Sequence, residues 1–268
     1  MLKIKSVLRL LREFTKMNII KTVYVNFKMF PFKQALRFPM FFYGKVSLLN
    51  LSGKIVVEEP LKPGMIRYGY KWHDMWPTSF LPTQLQVIGS LIFKGETIVS
   101  GGAAVNVQSK EGVLIIGERT TIGGGTIVKC LKHIEIGDES GITGNCTVMD
   151  CNMHFVKNIE TGVVANYKAP IKIGKCCWIN AGSIITKGAV IPDYSISARN
   201  AYLSKDYSEY GNNLFLVGSP AKPASSKVQR LFTVEKQREL KNFFETHDVP
   251  TLQLEPGLEI EIGTREGF

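Results

Sequence analysis

Four histidines stand in the chain, His73, His133, His154 and His247, so the search for a base able to work near neutral pH is short. His154 stands out by its register. It falls six residues after Val148 and closes the segment Val-Met-Asp-Cys-Asn-Met-His at 148–154, just before a polar stretch with Asn158, Glu160, Gly162, Asn166 and Lys168. An imidazole with an unperturbed pKa of about 6.5 is largely neutral near pH 7 and can take the proton of a hydroxyl, a poor nucleophile until that proton is removed. Alternate residues of an extended segment share a face, which predicts that Asp150 and Asn152 point the same way as His154. Two readings of this pair stand side by side. Either Asn152 contacts an acceptor and Asp150 orients the imidazole or the acceptor, or both bond the backbone of a turn.

The elements that must position these residues show in a six-residue repeat. Aliphatic side chains recur at Ile116 and Ile122, at Ile136, Ile142 and Val148, and at Ile173, Ile179, Ile185 and Ile191. Four residues after each stand Thr120, Thr126, Ser140, Cys146, Asn152, Cys177, Ser183, Ala189 and Ser195, nearly all small. Neither a helical period nor plain strand alternation pairs one aliphatic with one small residue per six. A three-sided coil does: the aliphatic fills the interior, the small residue fits where the chain bends, and three hexads close a turn that stacks on the next. Gly117, Gly123, Gly137 and Gly174 follow the aliphatic, where backbone freedom is expected to help. A weaker six-step runs upstream through Val87, Phe93, Val99 and Val105, which starts the regular coils near residue 85. Between His154 and Ile171 the step stops, then resumes in register. A looped-out segment of that length inside a packed repeat is more often functional than accidental.

From Ile116 to about Lys222 the chain resembles the hexapeptide-repeat acyltransferases, and is most similar to those that O-acetylate sugars or bacterial surface polysaccharides. The resemblance implies a left-handed parallel β-helix, a homotrimer with sites between subunits, acetyl-CoA as acyl donor and no metal. It gives His154 the role of general base toward a sugar hydroxyl. Trp178, in the stretch Pro-Ile-Lys-Ile-Gly-Lys-Cys-Cys-Trp-Ile-Asn-Ala-Gly, matches a tryptophan near the family's active site, although a core role accounts for it equally well. By the same correspondence Ala181 and Ala198 contact the pantetheine arm, Ser204 and Lys205 match a Thr-Lys pair, and Lys222 in Gly-Ser-Pro-Ala-Lys lies near the CoA phosphates. A flexible ammonium suits such phosphates. The alternatives are N-acetylation of an aminosugar nucleotide or antibiotic, and a solenoid scaffold without chemistry. A zinc carbonic anhydrase on this kind of solenoid needs three imidazoles on one metal, and the repeat region holds only His133 and His154.

Composition bounds the rest. The 268 residues are 44% hydrophobic and 21% charged, a globular balance. Net charge is +10, and residues 1–45 hold ten Lys and Arg against the single acid Glu13, so the body is nearly neutral, unlike a nucleic-acid-binding body. No apolar run is long enough to span a membrane and no secretory signal follows the first bases, which makes the cytoplasm the expected location. Cys130, Cys146, Cys151, Cys176 and Cys177 lack metal or disulfide spacing and read as free thiols. Three parts follow: a basic extension over 1–50, the β-helix over 51–224, and a C-terminal helix and tail over 225–268. Residues 2–17 set Leu8, Leu11 and Phe14 among bases at helical spacing. That segment either caps the solenoid's open edge or lies on an anionic membrane surface, a peripheral contact extending over residues 1–45. Residues 228–244 predict a helix that closes the solenoid.

Overall fold

The computed structural model describes residues 15–58, 60–71, 81–231 and 233–257. Short strands wind as successive coils of a parallel β-helix. The first coil is β1 (Met40–Phe42), β2 (Val46–Leu51) and β3 (Lys54–Val57), the second β4 (Ile66–Tyr70), β5 (Thr83–Val87) and β6 (Ser90–Phe93). The third is β7 (Thr97–Ser100), β8 (Ala104–Val107) and β9 (Val113–Ile116), the fourth β10 (Thr120–Ile122), β11 (Ile127–Cys130) and β12 (His133–Ile136). The fifth is β13 (Gly141–Ile142), β14 (Thr147–Met149) and β15 (Ile171–Ile173), the sixth β16 (Trp178–Ile179), β17 (Ile184–Thr186) and β18 (Val190–Ile191). β19 (Ile196–Ser197), β20 (Tyr202–Leu203) and β21 (Phe215–Gly218) continue the winding, and β22 (Ala221–Ser225) turns back antiparallel on β21. Up to β20 every third strand pairs, and β21 then pairs β19, giving three sheets in the orders β1-β4-β7-β10-β13-β16-β19-β21-β22, β2-β5-β8-β11-β14-β17-β20 and β3-β6-β9-β12-β15-β18. We call these sheets I, II and III.

The hexads explain the core directly. All nine aliphatics of the repeat are buried, as are Val87, Phe93, Val99 and Val105 upstream. Full burial of each such side chain contributes about 1.5–3 kcal/mol, so the stack is held by many equal increments. Of the nine small residues, all are buried except Asn152, where the chain leaves the coil. Aromatic rings fill the two ends of the prism. Phe42 and Tyr68 pack 5.3 Å apart near the first coil, and buried Tyr207 reaches across the other end to donate to the Ala221 carbonyl at 3.1 Å.

The glycines after the aliphatics serve a different purpose from the one expected. Positive φ angles fall elsewhere in the corners, on Arg119, Glu139, Cys176 and Tyr194 between sheets III and I. Gly137 is instead required by close approach: a Cβ there would lie 2.6 Å from the backbone of Gly174 in the next coil.

Two expectations about the ends are corrected, and a third falls almost wholly outside the described residues. The coils begin at Met40, inside the segment expected to be an extension, because the early interior is filled by Met40, Phe42, Ile66 and Tyr68 rather than by hexad aliphatics. The amphipathic segment expected over 2–17 lies almost wholly outside the described residues, and the cap is helix α1 (Ile19–Met29), followed by the short α2 (Phe32–Ala35). The Asn26 amide donates to the Met40 carbonyl at 2.7 Å, and Thr22 accepts the Phe42 N–H at 3.0 Å, so side chains of α1 satisfy the open edge of β1. At the other end the helix is α3 (Val234–Thr246), and none of its described side chains is buried. Closure falls to Tyr207 and β22 instead.

Candidate functional site

The interruption of the repeat is an extruded arm over residues 150–170 between β14 and β15, at the corner from sheet II to sheet III. It is pinned at its root and near its tip. Antiparallel bridges join Cys151 to Lys168 and Lys157 to Val164, and the Asn152 N–H donates to the Tyr167 carbonyl at 2.8 Å. At the tip the Asn158 carboxamide oxygen accepts the N–H groups of Glu160 and Thr161 at 2.9 and 2.8 Å, a turn that its residue type favours. Lys187 donates to the Asn166 carbonyl, tying the arm to the coil that follows.

His154 lies at the root of this arm and is exposed. Met153 before it has φ +62°, a conformation rare for a residue with a side chain, and Phe155 after it meets the Tyr167 ring edge-on at 5.1 Å. Among the described residues of the single chain the imidazole has no hydrogen-bond partner, so it faces outward from the solenoid with both ring nitrogens free. The arm also exposes Met153, Phe155, Val156, Ile159, Val163 and Val164, with Ile159 92% exposed.

Asp150 does not share a face with His154, contrary to expectation. It is wholly buried, and its carboxylate accepts backbone N–H bonds from Leu131, Lys132 and His133 at 2.8, 2.7 and 2.8 Å. With the Cys130 thiol as a fourth donor at 3.6 Å, its acceptor sites are taken up within the coil, so it orients neither imidazole nor acceptor directly; it clamps the arm's root to the corner of the coil beneath. Asn152 and His154 are both exposed and remain together on the outer side.

The residues matched to a cofactor site fall on separate parts of the prism. Ala181 and Ala198 occupy successive coils at the corner from sheet I to sheet II, with the Ala181 carbonyl accepting from Asn200 and the Ala198 N–H donating to Leu216. Ser204 and Lys205 follow β20 at the far corner of sheet II. The exposed Lys205 ammonium donates to the Tyr210 hydroxyl at 3.1 Å, a bond that raises its pKa, and lies over the rings of Tyr207 and Tyr210. Lys222 is exposed on β22, opposite Val217. No hydrogen bond or ion pair joins any two of these five residues. Among the described residues neither lysine is paired with a carboxylate. Trp178 stands on the outer face of sheet I between Gly141 and Ile196, half-buried, with the Arg230 guanidinium 4.6 Å from its ring centroid. Trp178 is therefore not fully enclosed in the prism, and the arginine over it comes from the segment after β22.

All five cysteines are free and buried. Burial pushes the Cys177 thiol up to about 12 and raises those of Cys130 and Cys146. Among the described residues no cluster of three His, Cys, Asp or Glu side chains could hold a metal. No helix among them is long and apolar enough to cross a membrane.

No family model and no curated protein sequence matches the chain. Solved structures do resemble it. The polySia-specific acetyltransferase NeuO superposes with a TM-score of 0.52 at 16% identity over 80% of this chain and 85% of that one. A mutant of AntD, an N-acyltransferase from Bacillus cereus in complex with dTDP-4-amino-4,6-dideoxyglucose and coenzyme A, gives 0.42 at 14% identity over 77% and 88%. A hexapeptide-repeat acetyltransferase from Vibrio cholerae O1 biovar eltor, complexed with acetyl coenzyme A, gives 0.36 at 18% over 55% and 68%. The likeness to NeuO is one of fold: the chain is a left-handed parallel β-helix.

Proposed function

We propose that this protein is a hexapeptide-repeat acyltransferase that moves an acetyl group from acetyl-CoA to a hydroxyl of a sugar or surface-polysaccharide acceptor, with His154 as general base. The observation that carries this reading is the arm over residues 150–170: the solenoid extrudes a segment clamped at its root and sets there an imidazole bonded to no described residue of its own chain. A rod serving only as scaffold has no need of either.

His154 accepts the proton of the acceptor hydroxyl as that oxygen bonds to the acyl carbon, and returns the proton to the departing sulfur, so the imidazole ends the cycle neutral. The thioester supplies the acyl group and a good leaving group. Asn152, exposed two residues before His154, is placed to hold the acceptor. Asp150 keeps the root of the arm fixed, so that the imidazole is presented in one position. The short side chains of Ala181 and Ala198 and the exposed ammonium groups of Lys205 and Lys222, neither in an ion pair among the described residues, fit a long donor with an apolar arm and a phosphate-bearing end. Trp178 adds a half-buried ring beside Gly141 for the same donor.

One chain does not enclose His154. The apolar side chains along the arm favour a homotrimer, in which a neighbour covers them and supplies the other wall of the cleft. The test is thiol release from acetyl-CoA with a panel of sugars, polysialic acid and amino sugars, alongside light scattering. Turnover on hydroxyl acceptors by a trimer supports the reading. Turnover on amino sugars alone assigns N-acylation, and no turnover together with no CoA binding leaves a scaffold.

A further inference from the structure

The face of α1 turned away from the solenoid has a composition that the acyl-transfer reading does not use. Thr22, Val25 and Asn26 point inward onto β1. On the opposite side Ile19, Ile20, Val23, Tyr24 and Phe27 form a continuous exposed stripe, with Ile20 82% exposed. Phe32 and Leu36 extend it across α2, and the Phe27 ring packs 6.0 Å from Phe32 and 5.7 Å from Phe38, so the two short helices present one apolar surface. So large a contiguous apolar patch on a folded end marks an interaction surface.

The charges around it identify the partner. Lys16, Lys28, Lys33, Arg37 and Lys45 are all exposed, and no Asp or Glu occurs from Thr15 to Val57. A protein partner recognised through apolar contacts alone would not need a rim of a single sign. Apolar side chains able to enter the acyl boundary, ringed by bases at headgroup level, match a bilayer bearing anionic lipid. α1 is also held firmly in place: its Asn18 cap, Thr22 and Asn26 tie it to β1 and to the Gly44 carbonyl, so the stripe is displayed on a rigid platform.

We infer that the first-coil end of the solenoid, through the exposed faces of α1 and α2 and the bases Lys28, Lys33 and Arg37, docks on an anionic membrane surface. Catalysis is then held at the membrane, where an acceptor carried on lipid would be met by diffusion in two dimensions. This surface is independent of His154, and either claim can fail without the other.

The experiment is co-sedimentation of the full-length protein with vesicles of phosphatidylcholine alone or mixed with phosphatidylglycerol. Binding is expected to the mixed vesicles only and to weaken as salt is raised. The variant combining Lys28→Glu, Lys33→Glu and Arg37→Glu should bind about a hundredfold more weakly, and the pair Ile20→Glu and Phe32→Glu should lose binding altogether. Both keep wild-type melting temperature and acyl transfer to a soluble acceptor, because every altered side chain is exposed and remote from the arm. Wild type that ignores mixed vesicles, equal binding to neutral vesicles, or unchanged binding by either variant overturns the inference. So does an Ile20→Glu, Phe32→Glu variant that changes oligomeric state, since the patch would then be a contact between copies.

Discussion

The Asp150 carboxylate lies 2.8 Å from the backbone N–H of His133, one coil below, and this contact joins the root of the extruded arm to the corner of the solenoid. With Leu131 and Lys132 it makes three charge-assisted bonds to a carboxylate that is itself fully buried.

Asp150→Ala should destabilise the fold by about 2–4 kcal/mol, because it leaves three part-buried N–H donors without their acceptor as well as losing the bonds. Asp150→Asn keeps the shape and one acceptor oxygen and should cost about half as much. Urea denaturation measures both. If Asp150 positions the arm, Asp150→Asn also lowers kcat with the KM for acetyl-CoA unchanged; a purely structural Asp150 leaves kcat alone.

The solenoid was legible because the interior of its middle coils is filled mostly by aliphatics, which recur at a six-residue step on both sides of the arm, up to Val148 and again from Ile173 to Ile191. His154 was legible by its interruption of that rule. For Asp150 the residue type left two readings, and its bonds to main-chain amides realise the backbone one; that these amides belong to Leu131, Lys132 and His133, one coil away, left no trace in residue identity. The start at Met40 was hidden for the opposite reason: large residues such as Phe42 and Tyr68 fill the first coils and erase the six-residue step. Arg230 over Trp178 joins segments far apart in sequence, which no local spacing encodes.

Gly137→Ala should destabilise by about 1–3 kcal/mol or more, because its Cβ meets the backbone of Gly174 at 2.6 Å and the neighbouring coil must move. Thermal melts test this. Gly162, with no atom within 4 Å of an added Cβ but φ +74°, should show a smaller loss from backbone strain alone.

The buried thiols predict an alkaline weakness. Cys130, Cys146 and Cys177 bind their protons more tightly in the folded chain than at the ordinary thiol value of 9.0, so the native state holds more protons than the unfolded one at high pH. Their contribution is fully present below pH 9 and is lost as pH rises toward the folded value of about 12 for Cys177. Denaturation midpoints should fall over that range, and a disulfide-exchange reagent at pH 8 should leave these thiols unmodified until denaturant is added.

Lys222→Ala and Lys205→Ala should each raise the KM for acetyl-CoA about three- to thirtyfold with little change in kcat, the pattern of a charge that grips the donor away from the reacting carbon. Initial rates at varied donor concentration check it. A fall in kcat with unchanged KM would place these residues elsewhere in the reaction.

The central claim is that the one imidazole at the root of the arm removes the acceptor's proton. His154 is exposed and bonded to no described residue of its own chain, so His154→Ala should leave the melting temperature and oligomeric state as they are. The steady-state rate of acetyl transfer by that variant, with saturating acetyl-CoA, is the decisive measurement. The account predicts a loss of about a hundred- to ten-thousandfold; a variant that folds, assembles and turns over at the wild-type rate contradicts it.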